Sequence, residues 1–175
     1  MNTRRRQHLL VLTAFCVVLV CDQASKAIVA NTVDLSNHAG RAETFFYITH
    51  EENPGLVAGL FSGSPVIVKV APILASLVLV YLYRYLEPHS TLQATAFGMI
   101  AGGAVGNLID RFARGIVVDF LQFNFYFLPD WLGLPTKRYP AFNVADSSIC
   151  VGVFVLLCSW HLIGKRQKAN ATDTV

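Results

Sequence analysis

Two aspartates, Asp119 in the run VVDFLQF and Asp146 in FNVADSSI, border long apolar stretches of a chain that has only 11 acidic residues. A carboxylate kept at a membrane boundary is costly and is usually retained for a task. Polar residues accompany both: Asn107, Asp110 and Arg111 precede the first, and Asn143 stands beside the second. Two carboxyl groups that converge in a poorly hydrated site cannot both ionise easily, so they share one proton and titrate as a unit. The ionised member can take a proton from water, while the protonated one hydrogen-bonds a scissile carbonyl and later protonates the leaving amine. Peptide hydrolysis by an aspartyl dyad is the chemistry such a pair would perform.

The elements that must position these residues are membrane spans. With 54% hydrophobic and 14% charged residues, the 175-residue chain departs far from the soluble average, and its length suits one domain, 1–175. The four cysteines, Cys16, Cys21, Cys150 and Cys158, lie in apolar runs without CxxC or Cys/His metal spacing. That pattern argues against a disulfide framework and a zinc site and predicts buried bystanders. The net charge of +3 comes from basic residues gathered at the chain ends, not from the stripe that nucleic-acid binding requires.

Four apolar segments, 9–30, 66–86, 92–111 and 143–164, predict an all-α membrane fold, a bundle of four transmembrane helices. The first covers roughly 33 Å at about 1.5 Å per residue, enough for a hydrocarbon core of about 30 Å. Asp22 and Lys26, four apart on one side of that helix, read as an ion pair near its end that anchors the outer loop. In the second span Lys69 and Arg84 lie near the ends, where long side chains reach the headgroups, and Pro72 is tolerable in its first two turns. Gly98, Gly102 and Gly106 give the third span a flat face for close helix packing. Asn107, Asp110, Arg111 and Arg114 share one helical face. Asn143, Asp146, Ser147 and Cys150 are likewise predicted to face the bundle together, and a first-turn acid suits the helix dipole.

Arg4, Arg5 and Arg6 at the start, Arg84 between spans two and three, and Lys165, Arg166 and Lys168 at the end predict cytoplasmic termini. The other face then receives Asn53 and Asp119 together with the polar ends of spans one, three and four. Nine of the 11 acids fall there; only Glu87 and Asp173 lie opposite. No Ser/His/Asp or Cys/His set competes, since His8, His89 and His161 are cytoplasmic and only His38 and His50 are outside. In the loop between helices 1 and 2, TFFYIT at 44–49 followed by Asn53, Pro54 and Gly55 predicts a small β element and a turn. Between helices 3 and 4, 116–127 reads as an interfacial strand or short helix, with Tyr126, Trp131 and Tyr139 as interface aromatics. Arg4–Arg6 before 9–20 also resembles the start of a secretory signal peptide, and Cys21 a lipid-modified cysteine. However, Val20 stands where a small residue is expected, and three more spans follow.

DQASK at 22–26, NPG at 53–55, GGAVGNLIDR at 102–111, RGIVVDF at 114–120 and FNVADSSI at 142–149 together resemble signal peptidase II, the bacterial prolipoprotein signal peptidase. These motifs stand in the family's order, and the resemblance covers essentially the whole chain. It implies a multi-pass aspartyl protease of the bacterial cytoplasmic (inner) membrane, both termini cytoplasmic and the active site at the extracytoplasmic boundary. Such an enzyme cuts a preprotein just before its diacylglyceryl-modified cysteine. The resemblance assigns the catalytic dyad to Asp119 and Asp146, substrate binding or dyad orientation to Asn53, Gly55, Asn107, Arg111 and Asn143, and structural support to Asp22 and Lys26. It implies no metal or cofactor. The implied partners are the diacylglyceryl prolipoprotein, membrane lipid and the family's peptide-antibiotic inhibitors. Where the family continues after NPG with a Gly, Ala, Ala, Phe run, this chain has Leu56, Val57, Ala58 and Gly59. The segment 123–139 is long enough to serve as a lid. Two readings compete: a small ion- or proton-coupled transporter using the same carboxylates, and a non-catalytic assembly factor that docks through its outer loops. Four spans without an internal repeat, and polar residues at the boundary and not the midplane, favour the protease.

Overall fold

The computed structural model describes residues 3–35, 38–39, 45–56, 59–125 and 138–172, and, apart from those of 38–39, side chains as far as residue 162. Thr44, Val57, Ala58, Tyr126, Trp131, Asp173 and most of the segment expected to form a lid lie outside the described residues, as do the side chains of Lys165, Arg166 and Lys168.

Four helices are long and apolar enough to cross a membrane. They are α1 (Thr3–Thr32), α2 (Pro65–Leu82, continued by a 3₁₀ turn at Tyr83–Tyr85), α3 (Thr91–Ala113) and α4 (Val144–Thr172). α1 and α4 extend beyond the apolar segments at their basic ends. Hydropathy marks what suits hydrocarbon, whereas helical hydrogen bonding continues through Arg4–Arg6 regardless of side-chain polarity. α2 starts on Pro65, whose missing N–H costs nothing at a helix start. α3 starts where Ser90 Oγ accepts from Gln93 N at 3.2 Å.

α3 is the centre of the bundle, packed between α1 and α4, with α2 resting chiefly on α3. Its glycine face is what lets α1 approach. A Cβ built on Gly102 would stand 2.7 Å from the Phe15 carbonyl oxygen, and one on Gly106 would stand 2.5 Å from Asp22 Oδ2. Since α1 would have to back away, Gly102→Val is expected to destabilise the fold by about 1–3 kcal/mol. Thermal unfolding in detergent should register a lower Tm for that variant. Gly63→Ala, where an added Cβ meets nothing within 4 Å, should leave Tm unchanged.

Two expectations need correction. All four cysteines are exposed on the helix surfaces, not buried. A thiol is a small, weakly polar group that suits acyl chains as well as a protein core. Cys150 is exposed and does not join Asn143 and Asp146 in facing the bundle interior. Asn143, just before the first helical residue, is buried, and inside α4 the buried positions among the described side chains are Ala145, Ser148, Gly152, Leu156 and Ser159.

The loops supply a three-stranded antiparallel sheet in the order β1 (His38–Ala39), β2 (Phe46–Asn53), β3 (Val117–Phe123). The β element expected between helices 1 and 2 is present and ends on Asn53. The segment left open between strand and helix is a strand, because β2 offers it an edge. Phe46 pairs with Phe123, Glu51 with Asp119 and Asn53 with Val117, with a register shift between Ile48 and Glu51. This pairing, absent from any local sequence pattern, places the NPG turn beside Asp119.

Candidate active site

Each polar residue at the site is fixed by the backbone around it. Asn143 caps α4: its Oδ1 accepts from Asp146 N at 2.9 Å, and Asp146 Oδ2 accepts from Asn143 N at 3.3 Å. This reciprocal arrangement is a capping box built from an Asn and an Asp. Asp22, reaching over from α1, accepts from Ala145 N at 2.9 Å and satisfies another of the helix's free donors. The same geometry that starts α4 therefore sets where the Asp146 carboxyl points.

Asn53 is held in a comparable way at the end of β2. Gly55 N donates to Asn53 Oδ1 at 2.9 Å, closing a tight turn. Gly55 itself has no room for a side chain, since a Cβ would lie 2.6 Å from the Leu60 carbonyl oxygen. Asn53 Nδ2 then donates to Leu56 O and to Asp119 Oδ2, both at 3.0 Å.

Asp119, on β3, is 3% exposed. Its Oδ1 accepts from Asn143 Nδ2 at 2.7 Å and its Oδ2 from Asn53. Asp146 Oδ1 accepts from Asn107 Nδ2 at 2.8 Å. One residue, Asn143, thus touches both aspartates, by its side-chain amide on one and its backbone N–H on the other. Burial pushes the Asp119 carboxyl up to about 7; the Asn53 hydrogen bond opposes this, the Asp146 charge adds to it, and Asn143 and the Lys26 charge pull the other way.

Behind this pair lies a fully buried charge cluster. Lys26 Nζ is 2.8 Å from Asp22 Oδ2, from Asp110 Oδ2 and from Asn107 Oδ1. Arg114 adds a partly exposed contact to Asp110 Oδ1 at 3.1 Å. The expected pairing of Asp22 with Lys26 is present, but it faces inward and links α1 to α3 and α4. Charges taken out of water need such close, well-satisfied partners. Arg111 donates from Nη1 to Asn107 O and from Nη2 to Gly55 O, each at 3.1 Å, while its buried Nε has no hydrogen-bond partner among the described residues. Every residue singled out from the sequence, Asp119, Asp146, Asn53, Gly55, Asn107, Arg111, Asn143, Asp22 and Lys26, belongs to this one connected network.

Two further members, Gln23 and Asp110, are given no role by the sequence reading. Gln23 Nε2 lies 3.1 Å from Asp22 Oδ2 and 3.2 Å from Gly106 O, tying α1 to α3. Asp110 is the second carboxylate on Lys26. The i, i+3 spacing of Asn107 and Asp110 carried that signal, because both must face the same neighbour. Among the described residues, no group of three or more His, Cys, Asp or Glu is placed to hold a metal ion.

The comparisons with known proteins point to one family. The family model for signal peptidase (SPase) II matches residues 14–162. The lipoprotein signal peptidase of Desulforapulum autotrophicum is 40% identical over 168 residues, 93% of this chain and 96% of that one. The lipoprotein signal peptidase of Bacillus subtilis is 33% identical over 156 residues, covering 87% of this chain and 94% of that one. A solved bacterial membrane enzyme superposes with a TM-score of 0.72 at 29% identity, over 86% of each chain. Match, identity and architecture converge: the chain is a multi-pass bacterial membrane protein and belongs to the signal peptidase II family of peptidases.

Proposed function

We propose that this chain is an aspartyl endopeptidase that removes the signal peptide from prolipoproteins by cutting just before the diacylglyceryl-modified cysteine. The observation that carries the reading is the pair of carboxyls joined through Asn143 in a buried site lined by donors. With its carboxyl raised to about 7, Asp119 keeps the shared proton near neutrality. It donates a hydrogen bond to the scissile carbonyl, while ionised Asp146 takes a proton from the attacking water; Asp119 then gives its proton to the leaving amine as the tetrahedral intermediate collapses, and the dyad is left with the one proton now on Asp146. The turn at Asn53 and Gly55, which Arg111 holds by donating to Gly55 O, suits the substrate backbone. Asn107 and Asn143 orient the dyad.

The positive-inside pattern of Arg4–Arg6 supports cytoplasmic termini and a site at the extracytoplasmic boundary. The acyl chains of the substrate then lie in the bilayer between spans, and one domain, 1–175, does the whole task. Four spans without an internal repeat give the transporter reading no support.

The test is cleavage of a diacylglyceryl-modified preprotein by the purified chain in detergent or lipid, followed across pH. One cut before the modified cysteine is expected, with little cleavage of the unmodified preprotein. Below about 7 Asp119 is protonated and the dyad holds one proton; above it both carboxyls ionise and the acid is lost, so kcat/KM should fall on the alkaline side through about 7. Stability carries the same sign. Between 3.8 and about 7 the folded chain holds a proton that the unfolded chain has released, so stability declines as pH rises through that window. A wild-type protein that cuts neither preprotein would overturn the reading.

A further inference from the structure

Three side-chain amides surround the two aspartates, and each has a carbonyl end and an NH₂ end of nearly the same shape. Only the NH₂ end can donate to a carboxylate. Two of the three are oriented by backbone donors: Gly55 N fixes Asn53 Oδ1, and Asp146 N fixes Asn143 Oδ1. Those orientations leave Nδ2 of Asn53 and Nδ2 of Asn143 on Asp119. Among the described residues no backbone N–H performs this service for Asn107. Its Oδ1 instead meets the Lys26 ammonium at 2.8 Å and Asn143 Nδ2 at 3.2 Å.

An ammonium has three donors and no acceptor, so the Asn107 atom beside it has to be oxygen. The other end is then NH₂, and it lies 2.8 Å from Asp146 Oδ1. Turning the amide over would set NH₂ against the ammonium and a carbonyl oxygen against a carboxylate oxygen, two repulsive contacts among buried groups. Lys26 is itself immobilised: Asp22 and Asp110 hold it from α1 and α3, and its side chain is fully buried.

We propose that Lys26 is a positioning residue for the hydrolysis: through its contact with Asn107 Oδ1 it sets the polarity of that amide, so that Asn107 always presents a donor to Asp146. An ion pair serving only to hold helices together would need no contact with Asn107. The proposal rests on the dyad reading given above.

The test combines kinetics with the side-chain amide NMR signals of protein labelled with ¹⁵N-asparagine, Asn107 being assigned by its loss in Asn107→Ser. In the wild type the Asn107 NH₂ signal should be single, shifted downfield by the carboxylate and protected from solvent exchange. In Lys26→Met both amide orientations become available. Per folded molecule kcat should fall about 10²-fold, the scale of losing one well-placed donor, with KM within about threefold, and the Asn107 signal should broaden or double. Lys26→Gln, whose neutral amide can face Asn107 with either end, serves as the second variant and should fall between wild type and Lys26→Met. Wild-type kcat in a folded Lys26→Met or Lys26→Gln protein would overturn the proposal. So would a wild-type Asn107 amide that exchanges rapidly with solvent, a result that needs no variant to fold. Asp146→Asn is assayed alongside. If it cleaves, the dyad reading fails; if it is inactive while Lys26→Met keeps wild-type kcat, the dyad stands and only the role of Lys26 falls.

Discussion

Asp119→Asn and Asp146→Asn should each leave a folded protein whose turnover of a diacylglyceryl-modified preprotein is reduced by about 10³-fold or more. The substitution preserves shape but ends proton transfer, because an amide neither takes a proton from water nor returns one to the leaving amine. Each aspartate also sits in a shell of donors: Asp119 accepts from Asn143 and Asn53, and Asp146 accepts from Asn107 and from Asn143 N. An introduced amide must turn its NH₂ toward one of these donors, so a small shift in Tm is expected beside the large loss in kcat. Cleavage assays on both variants, with thermal unfolding to confirm that each is folded, decide the matter. Turnover retained in either one removes that carboxyl from the dyad.

Asn143→Ala is expected to have the next largest effect, and its two consequences can be separated. Asn143 caps α4 through Oδ1, and loss of a cap costs about 1 kcal/mol. Its Nδ2 donates to Asp119, and that donor is what ties the β3 carboxyl to the helix bearing Asp146. The alanine variant should therefore lose both stability and roughly 10²-fold in kcat. Asn143→Ser can still cap the helix, since a serine hydroxyl accepts from the same N–H, but it is too short to reach Asp119 as the amide does. Serine should thus recover most of the Tm and little of the kcat. A serine variant with wild-type kcat would show that Asn143 acts only as a cap.

The family resemblance and the residue patterns made most of the site legible in advance, and what they missed has identifiable causes. The capping box at Asn143 and Asp146 is local, four residues long, and could be read from spacing alone. The glycine face of α3 was equally readable, and the structure seats α1 on it. By contrast, the cysteines were misplaced because hydrophobic residues in a membrane protein face lipid as readily as core, and sequence does not separate the two. Gln23 and Asp110 have no role legible in the sequence, because each looks like an ordinary polar residue near a span end until a second helix is laid against it.

Sequence by itself determined what depends on neighbours along the chain: four apolar helices, the start of α4, the Asx turn after β2, and the residue types able to share a proton. These follow from hydropathy, periodicity and capping, all short-range. Only the tertiary structure decided that β3 pairs with β2, bringing Asn53 to Asp119, and that Lys26 on α1 reaches Asn107 on α3. Those contacts join residues 66 and 81 positions apart. No local rule specifies them; they follow from how close the glycine face lets two helices come and from buried charges needing every partner within reach.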